Sequence, residues 1–332
     1  MANPAPHDDI PATALAWHRG QGAAIATVIE TWGSAPRPAG SQLAIAADGS
    51  IAGSVSGGCV EGAVVAEATD CMRSGTPRIL EFGVSDDEAF AVGLACGGRI
   101  RVLVEPTGAE PGMPEKLLTQ LVQLRAEKVP VAVRTHIRNW ERQLVVGAGA
   151  APEIRKRLTA DRSGMDGDWF TAVHNPPLRM LVVGGVHIAQ PLLAMARNAG
   201  YETVLIDPRE AFASGDRFPG ELILHDWPDE AIQALVPDRR TAVVTLTHDP
   251  KLDDPAIIAA LETEAFYIGS LGSVRTHEKR ISRLSEQGIG LDGIGRVCAP
   301  VGLDIGARTP AEIAIAILAE VTEALRRPRE RA

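Results

Sequence analysis

Cysteine is scarce in this 332-residue chain. Cys59, Cys71, Cys96 and Cys298 are its only four, and no two of them stand in the Cys-x-x-Cys spacing of a structural zinc site. A cytosolic chain is not expected to hold such residues as disulfides, so all four read as thiols. Long apolar runs are also missing. The most apolar stretch, 311–321, is interrupted by Glu312 and Glu320 and falls short of the ~20 residues that a membrane span needs. Residues 1–9 are polar and acidic, without the basic segment and apolar stretch of a secretory signal. Concentrated positive charge is lacking as well: the net charge is −9, and basic clusters such as Arg239-Arg240 and Arg326-Arg327 are short. Phosphate backbones are bound by a cationic face, so nucleic acid is not an expected partner. These absences predict a cytoplasmic protein with no membrane association, and neither an internal repeat nor a low-complexity tract complicates it.

Turn-forming residues, by contrast, are plentiful: 33 glycines and 23 prolines accompany 45% hydrophobic and 23% charged residues. That balance suits a globular chain of many short elements in the α/β or α+β class. A chain this long exceeds what one core usually supports, so two domains are expected.

Along the first half, residues 10–18 have weak helical periodicity and 23–31 read as a strand. A Gly/Pro-rich loop, 32–41, precedes two short strands at 42–47 and 50–54. These flank Asp48-Gly49, a hairpin signal in which both turn residues are expected at positive φ. Ser56-Gly57-Gly58-Cys59-Val60-Glu61 leads into a helix closed by Gly75 and Pro77. Strands follow at 78–82 and 99–105, then a helix at 115–128 and strands at 129–137 and 142–146. Residues 161–177, with Gly164, Gly167 and Pro176-Pro177, read as an interdomain linker between a domain at 10–160 and another at 178–328.

The second domain opens with an apolar strand at 179–183, the turn Gly184-Gly185-Val186-His187, a helix to Asn198 and a strand at 203–206 that ends in Asp207. This order is that of a dinucleotide-binding βαβ unit. There, turn amides and a helix N-terminus meet a pyrophosphate, and an acid ~20 residues later meets a ribose hydroxyl. Further strands at 222–224, 241–247 and 265–268 predict a doubly wound parallel sheet. Val186 occupies the second glycine position of the G-x-G-x-x-G fingerprint, which sets a β-branched side chain where backbone normally approaches the phosphates.

Several motifs, in order along most of the chain, then match one family. Gly33-Ser-Ala-Pro-Arg-Pro-Ala-Gly40, Val55-Ser-Gly-Gly-Cys-Val-Glu-Gly62 and Gly93-Leu-Ala-Cys-Gly-Gly98, closing at Val104-Glu105-Pro106, resemble the XdhC/CoxI family. The Gly184 turn, Ile206-Asp-Pro-Arg209, Tyr267-Ile-Gly-Ser-Leu-Gly-Ser-Val-Arg275 and Pro300-Val-Gly-Leu-Asp-Ile-Gly306 before Thr309 resemble its Rossmann domain. The resemblance implies an α+β domain of that family followed by a Rossmann-like doubly wound α/β domain. It also implies a factor that binds molybdenum cofactor, supports its sulfuration and inserts it into an apo molybdenum hydroxylase, acting as a carrier rather than a turnover enzyme. The cargo would be molybdopterin, in its mononucleotide or cytosine dinucleotide form. A cysteine desulfurase or sulfurtransferase is an implied partner, and a homodimer is the expected assembly. An NAD(P)-dependent oxidoreductase and a docking scaffold without cofactor are the rival readings.

The candidate cofactor-binding residues follow from local chemistry. Cys59 and Cys96 sit in Gly-flanked loops, where a thiolate would serve as a soft molybdenum ligand or sulfur-transfer group; a small residue packed under a turn is the alternative. Ser56, Gly57, Gly58 and Gly97 are the backbone around them. Arg37, between two prolines, is held stiffly for phosphate recognition or is an ordinary surface arginine. Glu61 is either a catalytic carboxylate or an acceptor of turn amides. In the second domain the candidates are Gly184, Gly185 and His187 at the turn, Asp207 for a ribose hydroxyl and Arg209 for a phosphate. Ser270, Ser273 and Arg275 should emerge at the sheet's carboxyl edge. Asp249-Pro250 and Asp253-Asp254-Pro255 read as turn formers, and Cys71 and Cys298 as core residues. The expected arrangement has the two thiol loops facing the Rossmann edge across a cleft.

Overall fold

The computed structural model describes residues 9–35, 37–83, 98–108 and 110–327. The chain parts into two compact units, one reaching Pro176 and the other starting at Pro177.

In the first unit, helix α1 (Ile10–Gly20) starts where the Asp9 side chain accepts the Ala12 amide at 3.2 Å, one of the orphan donors of a helix start. Strands β1 (Ala23–Trp32), β2 (Gln42–Ala46) and β3 (Ile51–Gly53), helix α2 (Glu61–Ser74) and strands β4 (Arg78–Phe82) and β5 (Arg99–Pro106) follow. The five strands form an antiparallel sheet in the order β3-β2-β1-β5-β4. Gly75, at φ 71, ends α2 in the left-handed conformation that residues with a Cβ rarely adopt. The hairpin at Asp48-Gly49 differs from its expectation. Only Gly49 has positive φ (86°), and its amide bonds to the Ala46 carbonyl at 3.0 Å. The loop is therefore a three-residue turn closed by one left-handed glycine, and Asp48 instead accepts the Ser50 amide.

After helix α3 (Glu115–Ala126), strands β6 (Val131–His136) and β7 (Arg142–Val146), helix α4 (Pro152–Ala160) and strands β8 (Gly164–Asp166) and β9 (Trp169–His174) complete the unit. These strands form a second antiparallel sheet, β7-β6-β9-β8. The expectation of a linker at 161–177 is thus overturned, because β9 pairs with β6 along its whole length. Gly164 and Gly167 belong to a hairpin inside the unit rather than to a connection between units.

The long strand β1 is buried on both sides. Ala24, Ala26 and Val28 pack with Val64, Ala68 and Cys71 of α2. Ile25 and Ile29 pack with Leu118 and Leu121 of α3 and with Val133, Phe170 and Ala172 of the second sheet. Alternate residues therefore serve two cores, which is why 23–31 reads as a continuous apolar run rather than an amphipathic strand.

The second unit begins with β10 (Leu178–Val183), α5 (Ala189–Asn198), β11 (Tyr201–Ile206), β12 (Leu222–Leu224), α6 (Pro228–Leu235), β13 (Thr241–Thr245) and α7 (Pro250–Leu261). It ends with β14 (Tyr267–Ser270), α8 (Val274–Glu286), α9 (Leu291–Ile294), β15 (Val297–Cys298) and α10 (Pro310–Arg326). The six strands are parallel in the order β12-β11-β10-β13-β14-β15, the doubly wound arrangement of a Rossmann fold with its switch point between β10 and β13. On β10, Met180 and Val182 pack with α5 and α10, while Leu181 and Val183 pack with α6 and α7. Each fully buried side chain of this kind contributes about 1.5–3 kcal/mol. Helix α10 starts with a reciprocal capping box between Thr309 and Glu312. Among the described residues, no helix is long and apolar enough to cross a membrane.

Candidate functional site

The register of the first sheet brings its motif loops to one end. Strand β1 leaves at Trp32 into the 33–41 loop, and antiparallel β2 returns from that same end at Gln42. Strand β3 comes back to it at Gly53, opposite Leu43, and there the Ser54 to Val60 loop begins. Strand β5 enters beside Trp32 at Arg99, whose guanidinium lies 6.0 Å from the Trp32 ring. Gly98, just before it, packs so closely that a Cβ would lie 3.0 Å from the Ser34 carbonyl group. Three strand spacings, roughly 14 Å, separate β3 from β5 across this end. Cys96 and Gly97 themselves lie outside the described residues.

The Cys59 loop is organised around Glu61. Its carboxylate accepts from the Ser54 hydroxyl (2.8 Å), the Val55 amide (3.2 Å), the Ser56 amide (2.9 Å), the Gly58 amide (2.9 Å) and the Ser56 hydroxyl. The Ser54 and Ser56 hydroxyls in turn accept the Gly57 and Val60 amides, at 2.8 and 3.0 Å. Gly57 and Gly58 supply the positive φ, 78° and 114°, that this tight path demands. Burial pushes the Glu61 carboxyl up, but the hydrogen bonds from Ser56 and Ser54 outweigh it and hold the pKa at about 2. Glu61 therefore matches the turn-amide reading and not that of a catalytic carboxylate. The glycines and serines form the cradle, and from Val55 to Val60 only the Cys59 amide donates to no group among the described residues. The Cys59 thiol is exposed, unlike the packed cysteine of the alternative reading.

Cys71 is buried, with Sγ 3.8 Å from the Val104 carbonyl, and burial raises its thiol pKa to about 11. Cys298 packs partly buried against the core of the second unit. Arg37 is exposed and forms no ion pair among the described residues.

The second unit corrects several expectations. Asp207 is fully buried and committed within the fold. It accepts the Gly185 amide at 2.8 Å, the Arg209 amide at 3.0 Å, and Arg209 Nε and Nη2 at 2.9 and 2.8 Å. Burial opposes its charge, yet the bonds from Arg209 and Gly185 win and hold its carboxyl below the usual range. Asp207 is thus an internal brace rather than a ribose acceptor. Arg209, tied to it, stacks over Phe212 at 4.1 Å and is not a spare phosphate ligand.

The turn glycines are also explained internally. A Cβ on Gly185 would lie 2.5 Å from the Phe212 carbonyl oxygen, and one on Gly184, at φ 112, would lie 2.6 Å from Thr247 Cγ2. The chain's own backbone approaches here. His187 is exposed at the start of α5. Ser270, expected at the ligand edge, is buried, and its hydroxyl pairs with Thr245 at 2.6 Å. Ser273 caps α8 by accepting the Thr276 amide. Asp249 caps α7, while Asp253 and Asp254 are buried inside that helix and are not turn formers. Arg275 does reach a concavity at the carboxyl edge of β13 and β14, together with His248, Thr276, Lys279 and Arg280, which sequence reasoning missed. The available signal was the helical spacing of Arg275, Thr276, Lys279 and Arg280 along one face of α8.

An antiparallel unit bearing a glycine-cradled thiol, followed by a Rossmann unit whose usual ribose acid is sequestered, defines the class as a two-domain protein with a Rossmann-type second domain. Comparison with known proteins makes this specific. Residues 16–83 match the XdhC and CoxI family, and residues 180–321 match the XdhC Rossmann domain. The molybdenum cofactor insertion chaperone PaoD of Escherichia coli (strain K12) is 31% identical over 305 residues, spanning 91% of this chain and 83% of that protein. A probable xanthine dehydrogenase subunit from Bacillus subtilis (strain 168) is 24% identical over 325 residues, with 92% and 94% covered. A solved structure of a xanthine dehydrogenase from Bacillus halodurans superposes with a TM-score of 0.75 at 25% identity, over 96% of this chain and 97% of that one. The chain belongs to the XdhC/CoxI family.

Proposed function

We propose that this protein binds molybdenum cofactor as cargo, supports its sulfuration and inserts it into an apo molybdenum hydroxylase. The observation that carries the reading is the exposed Cys59, held on a loop whose neighbouring amides are satisfied by Glu61, Ser54 and Ser56. A rigid mount fixes a soft sulfur in place at little entropic cost when cargo binds. The likeness to PaoD, a molybdenum cofactor insertion chaperone, supports the same assignment.

In this reading the cargo presents a molybdenum centre and a pterin phosphate, with or without a cytosine nucleotide. The Cys59 thiol, with Cys96 as its proposed partner, offers sulfur to the metal end, while the Cys59 amide and exposed Arg37 offer donors to oxygen atoms. The terminal sulfur would come from a cysteine desulfurase or sulfurtransferase. The test is anaerobic purification from a molybdenum-replete host, followed by metal analysis and mass spectrometry for pterin. Bound pterin and molybdenum are expected, whereas a scaffold would carry neither.

The strand order favours a second reading, an NAD(P)-dependent oxidoreductase. Against it, Asp207 is consumed by Gly185 and Arg209. Fluorescence titration with NADH should show no saturable binding; micromolar affinity with turnover of a substrate would restore that reading.

A further inference from the structure

A concavity of about 490 Å³ opens on the second unit, lined by His248, Pro250 and Asp253 on one side and by Arg275, Thr276, Lys279, Arg280 and Arg283 of α8 on the other. It is larger than a bare ion requires and falls in the range that takes a small organic ligand. Both walls come from the carboxyl ends of β13 and β14, where open α/β sheets collect ligands.

The charges here are only partly balanced. Arg283 is held by Asp254, with Nη2 3.0 Å from Oδ1. Arg280 is 1% exposed and stands 3.9 and 4.0 Å from carboxylate oxygens of Asp253 and Asp254, hydrogen-bonding to neither. Its Nη2 donates to the Leu271 carbonyl at 3.0 Å, while Nε and Nη1 have no hydrogen-bond partner. Two unsatisfied donors on a buried guanidinium are costly, and an anion that accepts from them removes the cost. Arg275 and Lys279 are exposed at the rim and form no ion pair among the described residues. Among the described residues, Asp253 is the one acid lining the cavity. Its Oδ1 is bound by Thr247, and its buried Oδ2 has no hydrogen-bond partner, so an acceptor sits beside the donors. His248 holds a left-handed φ of 62°, unusual for a residue with a Cβ and concentrated at functional sites. In a chain of net charge −9, this is a local cationic pocket with donors already in place.

We propose that this pocket is a phosphate-ester site: Arg280, Arg275 and Lys279 take the phosphoryl oxygens, and Asp253 accepts from an adjoining hydroxyl. The pocket lies wholly within the second unit, and the choice of ester rests on the carrier reading, whose cargo is of that chemical class.

The test is calorimetric titration of the full chain with cytidine 5′-monophosphate, cytidine and inorganic phosphate. Wild type is compared with the rim variant Arg275→Ala/Lys279→Ala, whose exposed positions leave folding intact, and with Arg280→Lys. Saturable binding of the monophosphate is expected, weakened about tenfold or more in the rim variant, with no binding of cytidine and weaker binding of inorganic phosphate. Added salt should weaken it further. No binding to wild type, equal binding to the rim variant, or inorganic phosphate bound as tightly as the ester overturns the proposal. The pterin content of anaerobically purified protein is read separately. Pterin present with monophosphate binding unaffected by the rim variant removes the pocket and leaves the carrier reading. Monophosphate binding lost in the variant, with no pterin in wild type, keeps the phosphate-ester site and removes the carrier.

Discussion

At the scale of single residues, Cys59 and Glu61 divide the work of one loop. Cys59 is exposed, so Cys59→Ser should change unfolding free energy by less than about 0.5 kcal/mol. The same variant should lose most of its molybdenum. Denaturant unfolding with metal analysis checks both, and a large stability loss would mean a packing role. Glu61 is the opposite case. Glu61→Gln keeps the size but turns an acceptor of five hydrogen bonds into a mixed group, and should cost about 1–3 kcal/mol. Because its pKa falls from 4.5 to about 2 on folding, its contribution is fully present above pH 4.5 and is lost as pH drops toward 2. Urea midpoints across that range should fall less steeply for Glu61→Gln than for wild type; parallel curves would contradict the assignment.

At the scale of elements, the Rossmann turn is shaped by its own chain. Gly185→Ala would press a Cβ onto the Phe212 carbonyl oxygen, an immovable backbone atom, and should destabilise by about 1–3 kcal/mol in thermal unfolding. An unchanged midpoint would show that the turn has room to relax. Much of this architecture was legible. The apolar runs at 23–31 and 179–183 form β1 and β10, and Gly75 stops α2. What was hidden depends on partners distant in sequence. Strands β8 and β9 lie among glycines and prolines that read as a linker, and only their pairing with β6 reveals them. Asp253 and Asp254 resemble turn residues until the arginines of α8 are brought beside them. Asp207 matched the spacing of a ribose acid, yet spacing cannot show that Arg209, two residues on, occupies its oxygens. The cradle was half visible: glycines and a following carboxylate mark a tight helix start, but that the Cys59 amide donates to no group among the described residues and that its thiol is exposed are properties of the folded loop.

For the whole molecule, the family match spans both units, and each unit carries its own candidate features. The first unit gathers its 33–41 and Cys59 loops at one sheet end, with Gly98 packed beside Ser34. The second keeps the Rossmann sheet but takes its ribose acid into the fold, and places cationic side chains at the carboxyl edge of β13 and β14. These are the features on which the proposed carrier role and the proposed phosphate-ester site rest. The most direct measurement is the molybdenum and pterin content of wild type and of Cys59→Ser, both purified anaerobically from a molybdenum-replete host. Both components are expected in wild type, with a strong loss in the variant while its fold stays intact. No molybdenum or pterin in wild type would contradict the carrier role, and equal content in the two proteins would remove Cys59 from it.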